Sequence, residues 1–228
     1  MPAGRMYKYK KKKQQVVLVK PKRRPSSRLR SSRPFPKSKI VTMKYVERFV
    51  MQPSSVAADV YHFDAGSIFD PNSTGTGHQP LTHDTWATIY NHYVVLKANI
   101  KVEAITGSPS NAYDGVIPMG ITLTDDTSNV TTLDTLEEQS GSVTGYCMPM
   151  NNKPLSLTKS YNPKTFLGIK DPSSSGRIRA SFGANPSETA YFSIYASPIW
   201  TTAPSAVLCK ATIYYTVLLT EPKEMVQS

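Results

Sequence analysis

The strongest constraint on the fold is an abrupt change of charge at residue 39. The first 39 residues contain 15 Lys and Arg and no Asp or Glu. The rest of the chain contains the other 12 Lys and Arg (27 − 15) and all 16 Asp and Glu, a net charge of −4, although the whole chain carries +11. A segment so rich in like charge and so poor in apolar surface cannot offset its conformational entropy by burial. The sequence therefore predicts a disordered basic arm over 1–39 and a folded domain over 40–228.

The arm has the composition of a segment that binds nucleic acid. Each Lys or Arg can neutralise a phosphate and release a counterion, and contacts to phosphate carry little base specificity. Fifteen positive charges with no acid would also repel one another if no polyanion were bound. We therefore predict that nucleic acid is bound by Arg5, Lys8, Lys10, Lys11, Lys12, Lys13, Lys20, Lys22, Arg23, Arg24, Arg28, Arg30, Arg33, Lys37 and Lys39.

Two clusters within the arm also match the short basic signals that nuclear import machinery recognises. This second use is compatible with binding nucleic acid, because import would precede packaging. The predicted nuclear-import residues are Lys10, Lys11, Lys12, Lys13, Lys22, Arg23 and Arg24.

The domain over 40–228 alternates β-like runs with turn-rich segments. In the clearest run, Ala98, Ile100 and Val102 alternate with charged or polar residues, which is typical of a sheet with one face in solvent. Nine such runs in one domain predict an all-β fold, a two-sheet antiparallel sandwich in which a single jelly roll accounts for the strand count. The predicted strands are 40–51, 57–63, 97–104, 116–124, 142–148, 154–160, 177–182, 190–197 and 207–220.

One short helix is predicted before the clearest strand. Asp84 can cap its N-terminus, and an i, i+3, i+4, i+7 pattern follows at Trp86, Ile89, Tyr90 and Tyr93.

The pattern of polar residues does not indicate an enzyme. Gly75-Thr76-Gly77 lacks the Lys of a phosphate-binding loop, and the chain contains no Gly-x-Ser-x-Gly. His78 and His83 lack the His-x-His and later Glu of a metal-binding jelly roll, and we interpret them as hydrogen-bonded loop histidines. We predict no catalytic residues, no metal site and no cofactor.

The remaining acidic and sulfur-containing residues favour surface and core roles. The doublets Asp125-Asp126 and Glu137-Glu138 would point to opposite faces of a strand, so we interpret them as solvated, with calcium binding between subunits as the alternative. Cys147 and Cys209 are too few for a disulfide framework and are predicted as free thiols. No run approaches the ~18 apolar residues of a membrane span, and no secretory signal is indicated.

As a set, several short motifs resemble the capsid proteins of circoviruses and related circular single-stranded DNA viruses. Together with the basic arm, they cover most of the chain. The arm is richer in Lys than the Arg-dominated arms typical of circoviruses. The motifs are Gly75-Thr76-Gly77-His78-Gln79-Pro80, Asp84-x-Trp86, Tyr90-x-x-Tyr93-x-Val95, Phe166-Leu167-Gly168-Ile169-Lys170, Asn185-Pro186, Ala190-Tyr191-Phe192 and Tyr214-Tyr215-Thr216-Val217.

The resemblance implies a viral capsid protein that self-assembles into a small icosahedral shell. It implies a homo-oligomer of 60 subunits, a single-stranded DNA genome packaged by the arms, entry into the host nucleus during assembly, and a final location in the virion. No motif indicates a cell-surface receptor. The segments 64–82, 125–141 and 162–176 are candidates for contacts between subunits, with a structural role inside one subunit as the alternative for each.

Two alternatives remain open at this stage. A nucleic-acid-binding protein that does not assemble would share the arm, but it would more often carry a basic surface on its folded domain, whereas 40–228 is net acidic. A jelly-roll enzyme or lectin would need a convergent polar site.

Overall fold

The computed structural model describes residues 34–106, 116–128, 132–148, 153–199 and 205–224. Within these ranges the chain forms nine strands and three short helices. In chain order they are β1 (Ser38–Met51), β2 (Asp59–Asp64), α1 (His83–Ala87), β3 (Tyr90–Thr106), β4 (Ile117–Thr124), α2 (Leu133–Glu138), β5 (Val143–Cys147), β6 (Leu155–Tyr161), α3 (Pro163–Phe166), β7 (Arg179–Ser181), β8 (Tyr191–Ala196) and β9 (Val207–Pro222).

The strands form two antiparallel sheets that together make a jelly roll. Sheet A has the order β1-β9-β3-β6, with the short β7 also pairing with β3, and sheet B has the order β2-β8-β4-β5. If β7 is set aside, the first strand pairs with the last, the second with the next to last, and so on inward to β4 and β5. This nested pairing across two sheets is the jelly-roll topology, and it confirms the predicted fold class.

One apolar core lies between the two sheets. Alternate residues of the long strands point inward, so that Ala98, Ile100 and Val102 of β3 are buried while their neighbours are more exposed. Large aromatic residues fill the middle of this core, with Tyr45 of β1 and Phe63 of β2 6.2 Å apart, measured between ring centroids. The predicted strands are confirmed in number and order, and most of their ends lie within three residues of the observed ones.

The predicted helix is wrong in its extent and in its cap. Helix α1 ends at Ala87, and Tyr90 and Tyr93 belong to β3. The N-cap residue is Thr82 in a left-handed conformation (φ 79°), with Asp84 inside the first turn. The helix-like spacing arises because Tyr90 packs on Trp86, 6.2 Å away, at the point where the chain turns from α1 into β3.

Two helices lie in segments that the sequence analysis left as loops. In α3 the side chain of Asn162 accepts a hydrogen bond from the Lys164 backbone N–H at 2.9 Å, and Pro163 occupies the first helical position, a common start signal. In α2 the buried Leu136 packs against Ala58 and Tyr195, so its formation depends on contacts distant in sequence. No helix in the described ranges is long and apolar enough to cross a bilayer.

Candidate nucleic-acid interface

The end of the basic arm leads directly into the edge strand of sheet A. Of the 15 predicted nucleic-acid-binding residues, Lys37 and Lys39 are described, and the other 13, with all seven nuclear-import residues, lie outside the described ranges. The Lys39 ammonium lies 4.7 Å from the ring centroid of Trp86, and the Tyr90 hydroxyl donates to the Pro36 carbonyl oxygen at 3.2 Å. These contacts hold the chain beside α1 where it enters β1.

Beyond this point, positive charge continues along the outer face of sheet A. Alternation along the strands points every second side chain away from sheet B. Five of the outward side chains of β1, β9 and β3 are basic, and we call them the basic face. They are Lys44 and Arg48 on β1, Lys210 on β9, and Lys97 and Lys101 on β3.

The strand register brings these five side chains onto one continuous surface. Lys44 pairs with Tyr214 on β9, which in turn pairs with Asn99 on β3. In a parallel row, Arg48 pairs with Lys210. Lys97 pairs with Thr216 and Arg48 with Lys210, six residues apart on β9, so at about 3.3 Å per residue and 4.8 Å between strands the basic groups cover a patch of roughly 20 by 10 Å.

An aromatic ring lies among these charges. Tyr214 is 44% exposed, and the Lys44 ammonium lies 5.7 Å from its ring centroid. Beside it, the Ser160 hydroxyl donates to the side-chain oxygen of Asn99 at 2.7 Å. The face therefore offers cations, an exposed ring and polar groups.

Glu103 is the acid that lies among the five cations of the basic face. Its carboxylate accepts from the ammonium groups of Lys101 at 2.8 Å and Lys210 at 2.5 Å. These two hydrogen bonds lower the pKa of Glu103 to about 2. Within the described ranges Lys44, Arg48 and Lys97 form no ion pair, so these three carry uncompensated charge.

The folded domain is therefore polarised. The basic face and Glu103 together carry a net charge of +4, and since 40–228 totals −4, the rest of the domain sums to −8. Exposed acids elsewhere include the doublet Asp125-Asp126 after β4 and the doublet Glu137-Glu138 in α2. The net charge of −4 over 40–228 does not reveal this basic face. The acidic net charge of the domain is therefore no longer an argument against a non-assembling nucleic-acid-binding protein.

Sequence reasoning missed this face, although part of its signal was present. The alternation around Ala98 places Lys97 and Lys101 on the exposed side of a strand, and Lys44 and Arg48 have the same i, i+4 spacing in the first predicted strand. The missing information was that β9 lies between these two strands and brings Lys210 into the same patch.

His78 and His83 lie within hydrogen-bond distance of protein groups, as the sequence analysis expected, but His83 is the first residue of α1 and not a loop residue. His78 Nδ1 lies 2.8 Å from the Gln79 carbonyl oxygen and Nε2 lies 3.1 Å from the Val46 carbonyl oxygen. Because both ring nitrogens face acceptors, the charged ring is favoured, and the pKa of His78 is raised. His83 is buried, with Nδ1 3.0 Å from Asp84 Oδ1. In the described part of the chain, no three His, Cys, Asp or Glu side chains cluster in a way that could hold a metal ion.

A buried carboxylate at Asp64 was also missed. Its Oδ1 accepts the backbone N–H groups of Gly66 and Ser67, both at 2.8 Å, and the hydroxyl of Thr189. No Lys, Arg or His of the described ranges forms an ion pair with it, and burial raises the pKa of Asp64 to about 7 despite the three donors. The carboxyl ties the loop after β2 to the segment before β8, which is a structural role.

The remaining candidates fit the same interpretation. Cys147 and Cys209 lie as free thiols in the core, and burial raises the pKa of both, that of Cys209 to about 12. A surface cavity of about 590 Å³ is lined by Asp125, Tyr191 and Glu188, among others. The Glu188 carboxylate is paired with the Arg177 guanidinium, and two acids make this cavity unsuited to phosphate.

No family model and no curated protein sequence match the chain. Several solved structures are similar to it. That of Desmodium yellow mottle tymovirus has a TM-score of 0.47 and 11% identity, and the match covers 95% of this chain and 100% of that one. The structure of the 60-mer BFDV capsid protein has a TM-score of 0.47 and 10% identity, and the match covers 85% of this chain and 100% of that one. The structure of Cocksfoot mottle virus has a TM-score of 0.46 and 13% identity, and the match covers 94% of this chain and 97% of that one.

Proposed function

We propose that the chain is a viral capsid protein that self-assembles into a small icosahedral shell around a nucleic-acid genome. One observation carries the proposal: a polycation of 15 charges is joined directly to the edge strand of a complete jelly roll. The polycation requires a polyanionic partner. The jelly roll is a compact building block with a basic side and an acidic side. The role is structural rather than enzymatic.

In this mechanism, nucleic acid controls assembly. The arms of free subunits repel one another, so the closure of an empty shell is unfavourable. Phosphates cancel that repulsion, and a single genome tethers many subunits and raises their effective concentration. Contacts between the jelly rolls then close the shell.

Exposed apolar residues support contacts between copies of the chain. At one end of sheet A, Val50, Leu208 and Ile105 lie side by side in register and are 51%, 51% and 48% exposed. On sheet B, Tyr146 of the edge strand β5 is 56% exposed. Contiguous apolar surface of this kind is typical of protein interfaces, and we assign it to neighbouring subunits.

More specifically, we propose that the chain is the capsid protein of a circovirus or related circular single-stranded DNA virus. Under this proposal 60 subunits form the shell, the arm packages single-stranded DNA, and the two basic clusters within 10–24 direct the protein to the host nucleus before it enters the virion. The support is the set of sequence motifs and the charge of the arm.

Size-exclusion chromatography of the full-length protein, with absorbance at 260 and 280 nm, tests the proposal. Sixty chains of 25.2 kDa form a particle on the order of 1.5 MDa, and we expect nucleic acid in the particle peak. A variant with all 15 arm Lys and Arg changed to Gln should lose most of that nucleic acid. A protein that binds nucleic acid but stays monomeric at high concentration would instead be the non-assembling alternative and would refute the proposal.

A further inference from the structure

We propose that the basic face of sheet A is a second binding surface for the genome, specific for unpaired nucleic acid. In this arrangement Lys44, Arg48 and Lys97 contact phosphates and Tyr214 stacks on a base. The inference rests on the proposed function, because it assigns to the genome a surface of the folded domain in addition to the arm.

The distribution of ion pairs separates the five cations into two groups. Lys101 and Lys210 share the Glu103 carboxylate and contribute a net charge of +1 as a trio. The other three cations are exposed and form no ion pair in the described ranges, so each is available to a phosphate. A phosphate that replaces their counterions releases those ions, and this release supplies the binding free energy.

The position of Tyr214 indicates the kind of nucleic acid. Its ring is 44% exposed near the middle of the face and in contact with the Lys44 ammonium. Base stacking on an aromatic side chain is stronger than a cation–π contact at an exposed site, so a base can displace the ammonium toward its own phosphate. Bases in a duplex are stacked on one another and cannot use the ring, whereas unpaired bases can.

The same ring distinguishes a genome from a sulfated polysaccharide. Both polymers would bind the three unpaired cations, but a sugar sulfate has no π-face to stack on Tyr214. Continuity with the arm also favours the genome, because the arm leads directly into β1, the strand that carries Lys44 and Arg48. The rest of the domain, with its net charge of −8, would repel either polymer.

This surface also orients the subunit. If the genome lies on the basic face, then sheet A lines the interior of the shell, and the acidic doublets at 125–126 and 137–138 lie away from the genome. Sheet B and helix α2 then belong to the outer or lateral surfaces of the particle.

The test uses the full-length protein at nanomolar concentration, where assembly is suppressed by mass action. Binding of a labelled 20-nucleotide oligothymidine is measured by fluorescence anisotropy over a range of salt concentrations. The face variant changes Lys44, Arg48 and Lys97 to Gln. The matched control changes three exposed lysines outside the face, Lys164→Gln, Lys170→Gln and Lys223→Gln.

Single strands give a salt slope of about 0.7 per neutralised phosphate, so the face variant should lower the slope of log K against log salt by about 2. The charge-matched control should leave that slope unchanged. Equal slopes in the face variant and the control would overturn the proposal.

Variants of Tyr214 test the stacking step separately. Tyr214→Leu should weaken oligothymidine binding about tenfold without changing the salt slope, and Tyr214→Phe should retain the affinity. Binding of heparin should be the same for wild type and Tyr214→Leu. Equal weakening of heparin and oligothymidine, or no weakening of either, would overturn the role of the ring.

The outcomes distinguish the two proposals. A face variant that forms particles and keeps the wild-type salt slope would refute the second binding surface and leave the capsid function standing. A wild-type protein that binds oligothymidine through the face but never forms particles would refute the capsid function alone.

Discussion

Replacing Asp64 with Asn should remove a pH dependence of folding stability that the structure attributes to one buried carboxyl. The side chain is 2% exposed, and burial raises its pKa from 3.8 to about 7. The folded state therefore favours the protonated form. The contribution of the protonated Asp64 carboxyl to the free energy of unfolding is fully present below pH ~4. It is lost as the pH rises through about 7.

The size of the effect follows from the pKa shift. A rise of about three pH units at about 1.4 kcal/mol per unit amounts to about 4 kcal/mol of unfolding free energy lost between pH 4 and pH 7.5. The Asn side chain has no proton to lose, so the stability of the variant relative to wild type should rise by that amount over the same range.

Urea unfolding of nucleic-acid-free protein in high salt, followed by tryptophan fluorescence, measures this difference. Thr189→Val removes one of the donors that lower the pKa of Asp64, so the loss of stability should extend to higher pH. The exposed Asp125→Asn controls for the removal of one negative charge. Parallel pH profiles for wild type and Asp64→Asn would refute the reasoning.

Three further predictions follow from packing and charge. Gly120→Ala should destabilise the fold by about 1–3 kcal/mol, because a Cβ there overlaps the ring of the buried Tyr195, whereas Gly183→Ala, with open space, should change little in thermal unfolding. Cys147 and Cys209, 2% and 1% exposed, should react with a thiol reagent after unfolding and not before, and fast reaction of the native protein would contradict their burial. Sixty arms carry about 900 positive charges, which predicts an extracted genome on the order of 1–2 thousand nucleotides, and a genome ten times longer would contradict this balance.

The sequence predicted the strands well because each is a local pattern. The alternation around Ala98, Ile100 and Val102 depends only on period-2 burial, and β3 shows that burial. It predicted α1 poorly because a contact between Trp86 and Tyr90 across a turn imitates helical spacing. Helix α2 depends on the packing of Leu136 against distant residues, which no local pattern records.

The candidate site likewise has features that the local sequence predicts and features that depend on contacts between distant residues. The charge of the arm can be read from composition, and its binding role stays a prediction for the 13 residues outside the described ranges. The basic face needed the register of three strands, because Lys44, Tyr214 and Asn99 are far apart in the chain and meet only through pairing with β9. Asp64 had no sequence signal, since many strands end in an acid at a turn.

Electron microscopy of the full-length protein purified with its nucleic acid tests the central claim most directly. The account predicts closed icosahedral particles of 60 subunits, with nucleic-acid density against the outer face of sheet A and the arms directed inward. Particles whose interior is lined by sheet B, or a field of single subunits without closed shells, would contradict it.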